Sequence, residues 1–268
     1  MMALGQYIAR IGYDGPLRPD LETLIGLHRA HLLAIPYENI DVQLGRPVVT
    51  DPAAAFERIV DRSRGGWCYE MNGLFGWALG EIGFDVTRMA GGVMREMAGD
   101  EQAGNHLVLR VDLADGPQIA DVGFGDGPIE PYPLRPGIFV QEGFEFELFH
   151  LEDGWWRLRN HPMGGARSFD FRSAPADEDL LKRKCEQLQS RETSIFVQNL
   201  ICQRPTGNTI HQLRGRVLRT LRHDGFDERL IEDLAEFEAM MASVFGLTDP
   251  EMPRLWDKVS DRHRQIFP

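Results

Sequence analysis

Arg64-Gly65-Gly66-Trp67-Cys68-Tyr69-Glu70-Met71-Asn72-Gly73-Leu74-Phe75-Gly76-Trp77-Ala78-Leu79-Gly80-Glu81-Ile82 is the stretch on which a reading of this chain turns. Met71, Leu74, Phe75, Ala78, Leu79 and Ile82 recur at the i, i+3, i+4, i+7, i+8 spacing of a buried helix face. Gly65 and Gly66 just before them predict a sharp turn, since glycine enters positive φ without penalty. Cys68 then falls at the helix start, three residues before Met71. A thiol there meets backbone N–H groups without intrahelical partners and the positive end of the helix dipole. Both favour thiolate, the nucleophilic form of cysteine. A small core cysteine under a helix is the plainer alternative. The paired glycines, the position and the partners found downstream speak for chemistry.

Towards the N-terminus the pattern stays helical. Pro19-Asp20-Leu21-Glu22 predicts a helix start, and Leu21, Leu24, Ile25, Leu27, His28, His31 and Leu32 follow at helical spacing. Ile35-Pro36 ends that helix, because the residue before proline is pushed out of the α region. Asp41 to Leu44 reads as extended, and Thr50-Asp51-Pro52 restarts a helix that buries Ala55, Phe56 and Ile59. His28 and His31 could share a metal, but no third ligand lies at metal-site spacing, which favours polar or interfacial helix residues.

Past Phe84 the period changes to two. Val86–Val93 predicts a strand, with Gly91-Gly92 as a bulge or a close approach. His106–Leu113 and Gln118–Phe124 predict two more, around a turn at Ala114-Asp115-Gly116-Pro117. Further strands are expected at Gly137–Gln141, Phe144–Leu151 and Trp155–Arg159. A helix is expected over 177–190, a hairpin over 209–221, and a helix from Phe226 to Phe245 stopped by Gly246. The fold class is therefore α+β with an antiparallel sheet or barrel. The change of period divides the chain into a mostly helical stretch over 1–83 carrying the cysteine, a strand-rich stretch over 84–190, and a mixed stretch over 191–268.

Bulk properties narrow the function. The length of 268 residues suits two domains or one with an appendage, and 43% apolar with 26% charged residues is ordinary for a soluble protein. A net charge of −12 argues against nucleic acid or an anionic membrane as partner. No apolar run reaches the roughly 18 residues that span a bilayer. The first ten residues lack a basic leader followed by an apolar run, so no signal peptide is expected. Three cysteines without C-x-x-C spacing suit reduced thiols in the cytoplasm.

A cysteine nucleophile needs a base, and the base needs a group to orient it. His106 begins a strand on the face away from the apolar stripe, and Asp121 lies on the next strand. An ideal hairpin centred on Asp115-Gly116 places Asp121 opposite Arg110, four positions or roughly 13 Å from His106. A bulge or a shifted turn must close that gap. Gly123-Phe124-Gly125-Asp126-Gly127-Pro128 follows, a glycine-rich loop able to present backbone N–H groups to phosphate or to serve as a plain turn. Tyr37, Trp67, Tyr69 and Phe124 flank these residues and could form an apolar slot or simply pack the core.

Arg64-Gly65-Gly66-Trp67-Cys68-Tyr69-Glu70-Met71-Asn72 resembles the R-G-G-x-C-x-E-x-N signature of the arylamine N-acetyltransferases. Ile35-Pro36-Tyr37-Glu38-Asn39-Ile40 is similar to that family's P-F-E-N segment, with Tyr37 where phenylalanine is common. Asn105-His106 and Asp121-Val122-Gly123-Phe124-Gly125 fall where the family has its histidine and aspartate. The resemblance implies Cys68 as nucleophile, His106 as base and Asp121 as orienter. It implies that the three stretches are a helical bundle over 1–83 and a β-barrel over 84–190 holding a papain-like core, with a C-terminal α/β lid over 191–268. The implied reaction moves acetyl from acetyl-CoA to an aromatic amine or hydrazine, without a metal. Tyr37, Tyr69 and Phe124 are then candidates for the acceptor pocket, and Gly125 and Gly127 for acetyl-CoA. Arg204, Arg214, Arg216, Arg219 and Arg222 could meet CoA phosphates or form a solvated surface. The rivals are a papain- or transglutaminase-like cysteine hydrolase, a noncatalytic binding protein on the same fold, and a zinc site on Cys68, His106 and Asp121.

Overall fold

The computed structural model describes residues 2–267. Helices dominate up to Ile82: α1 (Leu4–Ile11), α2 (Leu21–Ala34), α3 (Ile40–Leu44), α4 (Pro52–Phe56) and α5 (Cys68–Ile82). Their ends follow local chemistry. Asp20 caps α2 by accepting the Thr23 N–H, and Asp51 caps α4 by accepting that of Ala53, with Pro52 leading the helix. α2 stops at Ile35, which is extended at φ −116° and ψ 114°, as a residue before proline must be. Asp41–Leu44, expected to be extended, is instead part of α3. The Glu38 carboxylate accepts the Ile40 N–H at 2.6 Å and so supplies the acceptor that a helix start lacks.

From Asp85 the chain builds a sheet. Its elements are β2 (Asp85–Val93), the short helix α6 (Arg95–Ala98), β3 (His106–Asp112), β4 (Gln118–Ala120), β5 (Tyr132–Pro133), β6 (Gly137–Gln141), β7 (Phe144–His150), β8 (Trp156–Arg159) and β9 (Ser168–Phe171), while β1 (Tyr37–Glu38) lies earlier. Eight strands form one antiparallel sheet in the order β5-β4-β3-β2-β9-β8-β7-β6. Its edges approach each other: Tyr132 stacks on Phe139 at 5.0 Å, and the Gln141 side chain bonds both the N–H and the C=O of Glu130. No ladder joins β5 to β6, so the expected barrel is a curled sheet rather than a closed one. Gly91 marks a close approach, not a bulge. β2 changes partner there from β3 to β9, and a Cβ on Gly91 would sit 3.2 Å from His106 Cβ. β9 has no alternating pattern because all four of its residues are buried, Asp170 among them with Arg95 and Arg157 on its carboxylate.

The remainder comprises α7 (Glu178–Ser190), α8 (Ile195–Gln198), β10 (Ile201–Thr206), β11 (Thr209–Arg214), β12 (Val217–Arg222), β13 (Gly225–Leu230), α9 (Leu234–Met240) and α10 (Met252–Ile266). The helix expected from Phe226 begins only at Leu234, where Asp233 caps it. Before it, β13 pairs with β12. The cross-strand pairs Arg219–Glu228 and Arg222–Asp227, with Arg219 over the Phe226 ring, commit that segment to a strand. The second sheet runs β1-β10-β11-β12-β13, so Tyr37 and Glu38 pair with Gln203 and Cys202. The main core lies between α1, α2, α4, α5, the inner side of β3, and Leu181 and Cys185 of α7.

Candidate active site

α5 starts at Cys68 because the loop before it is locked in place. A Cβ on Gly65 would lie 2.3 Å from Pro36 O, and one on Gly66 would lie 3.0 Å from Glu70 Cβ. Neither glycine adopts positive φ, so the pair serves close packing against β1 rather than a left-handed turn. The Glu38 N–H donates to Gly66 O at 2.9 Å, and the Arg10 guanidinium donates to the carbonyls of Ala34, Ile59 and Arg64. Glu70 accepts the Trp67 N–H at 3.3 Å, an acidic cap on the helix.

Behind the loop lies a cluster of charges. Arg58 sits between Glu38 at 2.9 Å, Asp41 at 2.8 Å and Glu70 at 3.1 Å. Arg64 reaches Asp249 at 2.6 Å and stands 3.7 Å from Glu38, so the tighter partner of Glu38 is Arg58. Burial pushes the Glu70 carboxyl up to about 7; Arg58 pulls against this, and the charges on Glu38 and Asp41 add to it.

His106 and Asp121 meet, with Nε2 2.7 Å from Oδ2. The gap left by an ideal hairpin closes because the turn is shifted: Leu109 pairs with Ala120 and Arg110 with Ile119. Continued one residue, that register sets Asp121 level with Val108, two positions from His106 instead of four. Diagonal neighbours on one face of a sheet are within side-chain reach. Both side chains are 2% exposed. Burial opposes the charged imidazole most, but the charge and hydrogen bond of Asp121, joined by Cys68, outweigh it and raise His106 to about 10. Burial likewise works against the Asp121 carboxylate. His106, Asn72 and the Gly123 N–H together hold it below the usual range. With Nε2 engaged by Asp121, Nδ1 is the nitrogen left for the Cys68 thiol.

Asn72 is the residue that sequence reasoning quoted without assigning a task. It lies one turn after Cys68 on α5 and donates to Asp121 Oδ1 at 2.7 Å and to Leu107 O at 2.6 Å. Its own oxygen accepts the Val122 N–H at 2.9 Å. One helix thus carries the sulfur and the clamp on the aspartate. The signal for it was a polar residue one turn after Cys68, set among the apolar residues Met71, Leu74 and Phe75 of the same helix, where a buried amide needs partners. Gly123 presses on the same spot: a Cβ there would lie 2.6 Å from Cys68 Cα and 2.7 Å from Asn72 Nδ2.

The remaining expected residues spread around this centre. The Phe124 ring packs on His106 at 5.8 Å and on Phe169 at 4.9 Å, and Phe169 was missed because β9 was missed. Tyr37 is buried in β1. Tyr69 is fully buried and its hydroxyl donates to Gly104 O at 2.7 Å, so its phenol faces the core. A narrow cleft reaches Asp121 past Gly125, Gly127, Pro128, Ile129, Phe144 and Phe146 and the 207–210 turn. A Cβ on Gly125 would meet the Gln203 side chain, and one on Gly127 would meet the Phe124 ring at 2.8 Å. The arginine set is largely committed. Arg204 donates to Leu33 O, Arg216 to Ile231 O, Arg219 pairs with Glu228 and Arg222 with Asp227. His28 and His31 are polar helix residues at the contacts of α2 with other elements, as expected. Both are buried and face different partners, Ile129 O and the Tyr7 hydroxyl. Among the described residues, no three His, Cys, Asp or Glu side chains are arranged to hold a metal ion. None of the helices is long and apolar enough to cross a membrane.

Comparison with known proteins adds an independent line. Residues 20–250 match a family model described as N-acetyltransferase. An arylamine N-acetyltransferase of Mycolicibacterium smegmatis is 34% identical over 262 residues, covering 92% of each chain. The solved structure of the Mycobacterium marinum arylamine N-acetyltransferase is similar at a TM-score of 0.89 and 30% identity, over 97% of this chain and 99% of that one. The same M. marinum enzyme solved in complex with CoA is similar at a TM-score of 0.86 and 30% identity, with the same coverage.

Proposed function

Since the chain belongs to the arylamine N-acetyltransferase family, we propose that Cys68, His106 and Asp121 carry an acetyl group from acetyl-CoA to the nitrogen of an arylamine or arylhydrazine. The observation that carries this reading is the buried His106–Asp121 pair, 2.7 Å apart, beside the start of α5, where Gly123, which donates to Asp121, packs on Cys68. The proton rests on His106 and the sulfur attacks the acetyl carbon of the thioester. The tetrahedral adduct collapses, the CoA sulfur leaves and takes the proton from His106, and the acetyl group stays on Cys68. An amine then attacks, neutral His106 accepts its proton, and the amide departs as Cys68 regains its electron pair. Two half-reactions through one intermediate give ping-pong kinetics. The N–H groups of Cys68 and Tyr69, first in the helix and without intrahelical acceptors, are suited to the oxyanion of both adducts.

Phe124 and Tyr37 are the aromatic groups best placed to face the acceptor ring, and Gly125 and Gly127 line the cleft through which acetyl-CoA approaches. Tyr69 supports from behind by holding Gly104, two residues before His106. The N-terminal helices and curled sheet act as the papain-like core, the C-terminal sheet and helices cover it as a lid, and three free thiols suit the cytoplasm. Incubation with acetyl-CoA and no amine is expected to add one acetyl mass to the peptide containing Cys68, and aromatic amines or hydrazines to discharge it. An active protein whose Cys68 stays unlabelled would falsify the scheme. Rapid loss of the label to water alone would point to a hydrolase.

A further inference from the structure

His28 on α2 is buried, 1% exposed, and lies outside the three residues of the reaction scheme. Its Nε2 is 3.2 Å from the backbone N–H of Asp121, and its Nδ1 is 2.8 Å from the carbonyl of Ile129. An amide N–H only donates and a carbonyl only accepts. The two contacts together therefore require one tautomer, with the proton on Nδ1 and a bare Nε2. Phe75 packs edge-on against the ring at 5.8 Å and keeps it from turning. One rigid imidazole thus ties both ends of the loop that carries Asp121, Gly123, Phe124 and Gly125. The next residue extends the clamp, since Arg29 bonds Glu130 and Glu142 at 2.7 Å each. His31, one turn away, bonds the Tyr7 hydroxyl instead.

We propose that His28 is a positioning residue for the transfer reaction: by accepting the Asp121 N–H it sets how the Asp121 carboxylate meets His106, and by donating to Ile129 it sets the frame of the Phe124 wall. This rests on the reading of Cys68, His106 and Asp121 as the reacting unit. Asn72 and the Gly123 N–H hold the Asp121 carboxylate, and His28 holds its backbone, so the aspartate is fixed at both ends. Burial pushes the His28 ring down to about 4, which keeps it neutral across the working range.

Glutamine and asparagine separate the two bonds. The Gln oxygen reaches where Nε2 stood and can accept the Asp121 N–H; the Asn amide reaches only where Nδ1 stood. His28→Gln is expected to keep most of kcat and the alkaline limb of the pH–rate profile. His28→Asn is expected to lose on the order of 10- to 100-fold in kcat, with KM for acetyl-CoA little changed and the alkaline limb moved to lower pH. His31→Gln is expected to lower the melting temperature without moving that limb. Equal losses in the Gln and Asn variants with an unmoved limb would overturn the proposal. Should the variants not fold, imidazole 15N NMR of the unmodified chain still decides it: a proton on Nε2 rules the Asp121 bond out, and a proton on Nδ1 supports it. That readout needs no turnover. An unlabelled Cys68 would sink the functional reading and this inference with it, whereas a normally acetylated Cys68 with the wrong His28 tautomer sinks only this inference.

Discussion

At the scale of single residues, charge carries the site. Asp121 supplies most of what holds the proton on His106, against burial that would strip it. Asp121→Asn keeps the volume and one hydrogen bond but removes the charge. Its kcat/KM is expected to fall on the order of a thousandfold or more. The alkaline limb of the acetylation step should drop from near pH 10 to the ordinary imidazole value near 6.5 or below it, since burial still strips the proton. Stopped-flow release of CoA across pH reads both. Glu70 gives a second test, read in stability rather than in activity. Folded Glu70 keeps its proton to about 7, while an ordinary carboxyl of this type releases it near 4.5. Between those values the folded chain binds more protons than the unfolded one, so this group's contribution to stability falls as pH rises from about 4.5 to 7. The melting temperature of the unmodified chain relative to Glu70→Gln should therefore be most favourable near the lower value and decline towards the upper.

At the scale of elements, close approach decides more than conformation. Gly123 packs on the start of α5, where a methyl group would meet Cys68 Cα at 2.6 Å. Gly123→Ala is expected to cost about 1–3 kcal/mol by overpacking and to slow acetylation more than it raises KM, as thermal melts and single-turnover assays would show. Such contacts also mark what the sequence could and could not disclose. α5 was legible because its apolar stripe, its caps and its cysteine agree. β2 and β3 were legible from alternation; His106 and Asp121 were singled out by triad logic and by the resemblance, while an ideal hairpin left them four positions apart. The shift of the β3–β4 turn was not legible, because Asp115-Gly116 and Ala114-Asp115 are both good turn formers. β13 was misread because Leu230 and Ile231 continue the apolar stripe of the helix behind it. The Gly65-Gly66 pair was noticed for the wrong reason: its neighbours in space, Pro36 and Glu38, are remote in sequence, and no local rule reports them. His28 escaped for the same cause, its partners lying 93 and 101 residues away.

At the scale of the whole molecule, the loop before Cys68 is braced by a residue 185 positions further along the chain. Burial would raise the Asp249 carboxyl, but Arg46, the Glu251 N–H and Arg64 hold it well below the ordinary range. Arg64 is largely buried, and removing its partner leaves a cation without its closest counter-charge. Asp249→Ala is expected to destabilise on the order of 3 kcal/mol and to reduce acetylation of Cys68. Asp227→Ala, which breaks an exposed pair with Arg222, should change stability by under about 1 kcal/mol. Urea unfolding of the two variants side by side measures the contrast.

The pairing of β1 with β10 bears on how the protein is made. A ribosome that has released 190 residues has delivered the sulfur, the imidazole and the carboxylate, yet Tyr37 and Glu38 still await Gln203 and Cys202. Arg64 waits longer, for Asp249. Long-range closure of this kind is slow and comes late. The nascent chain therefore carries Cys68, His106 and Asp121 well before it can brace the loop in front of Cys68, which must wait for Asp249.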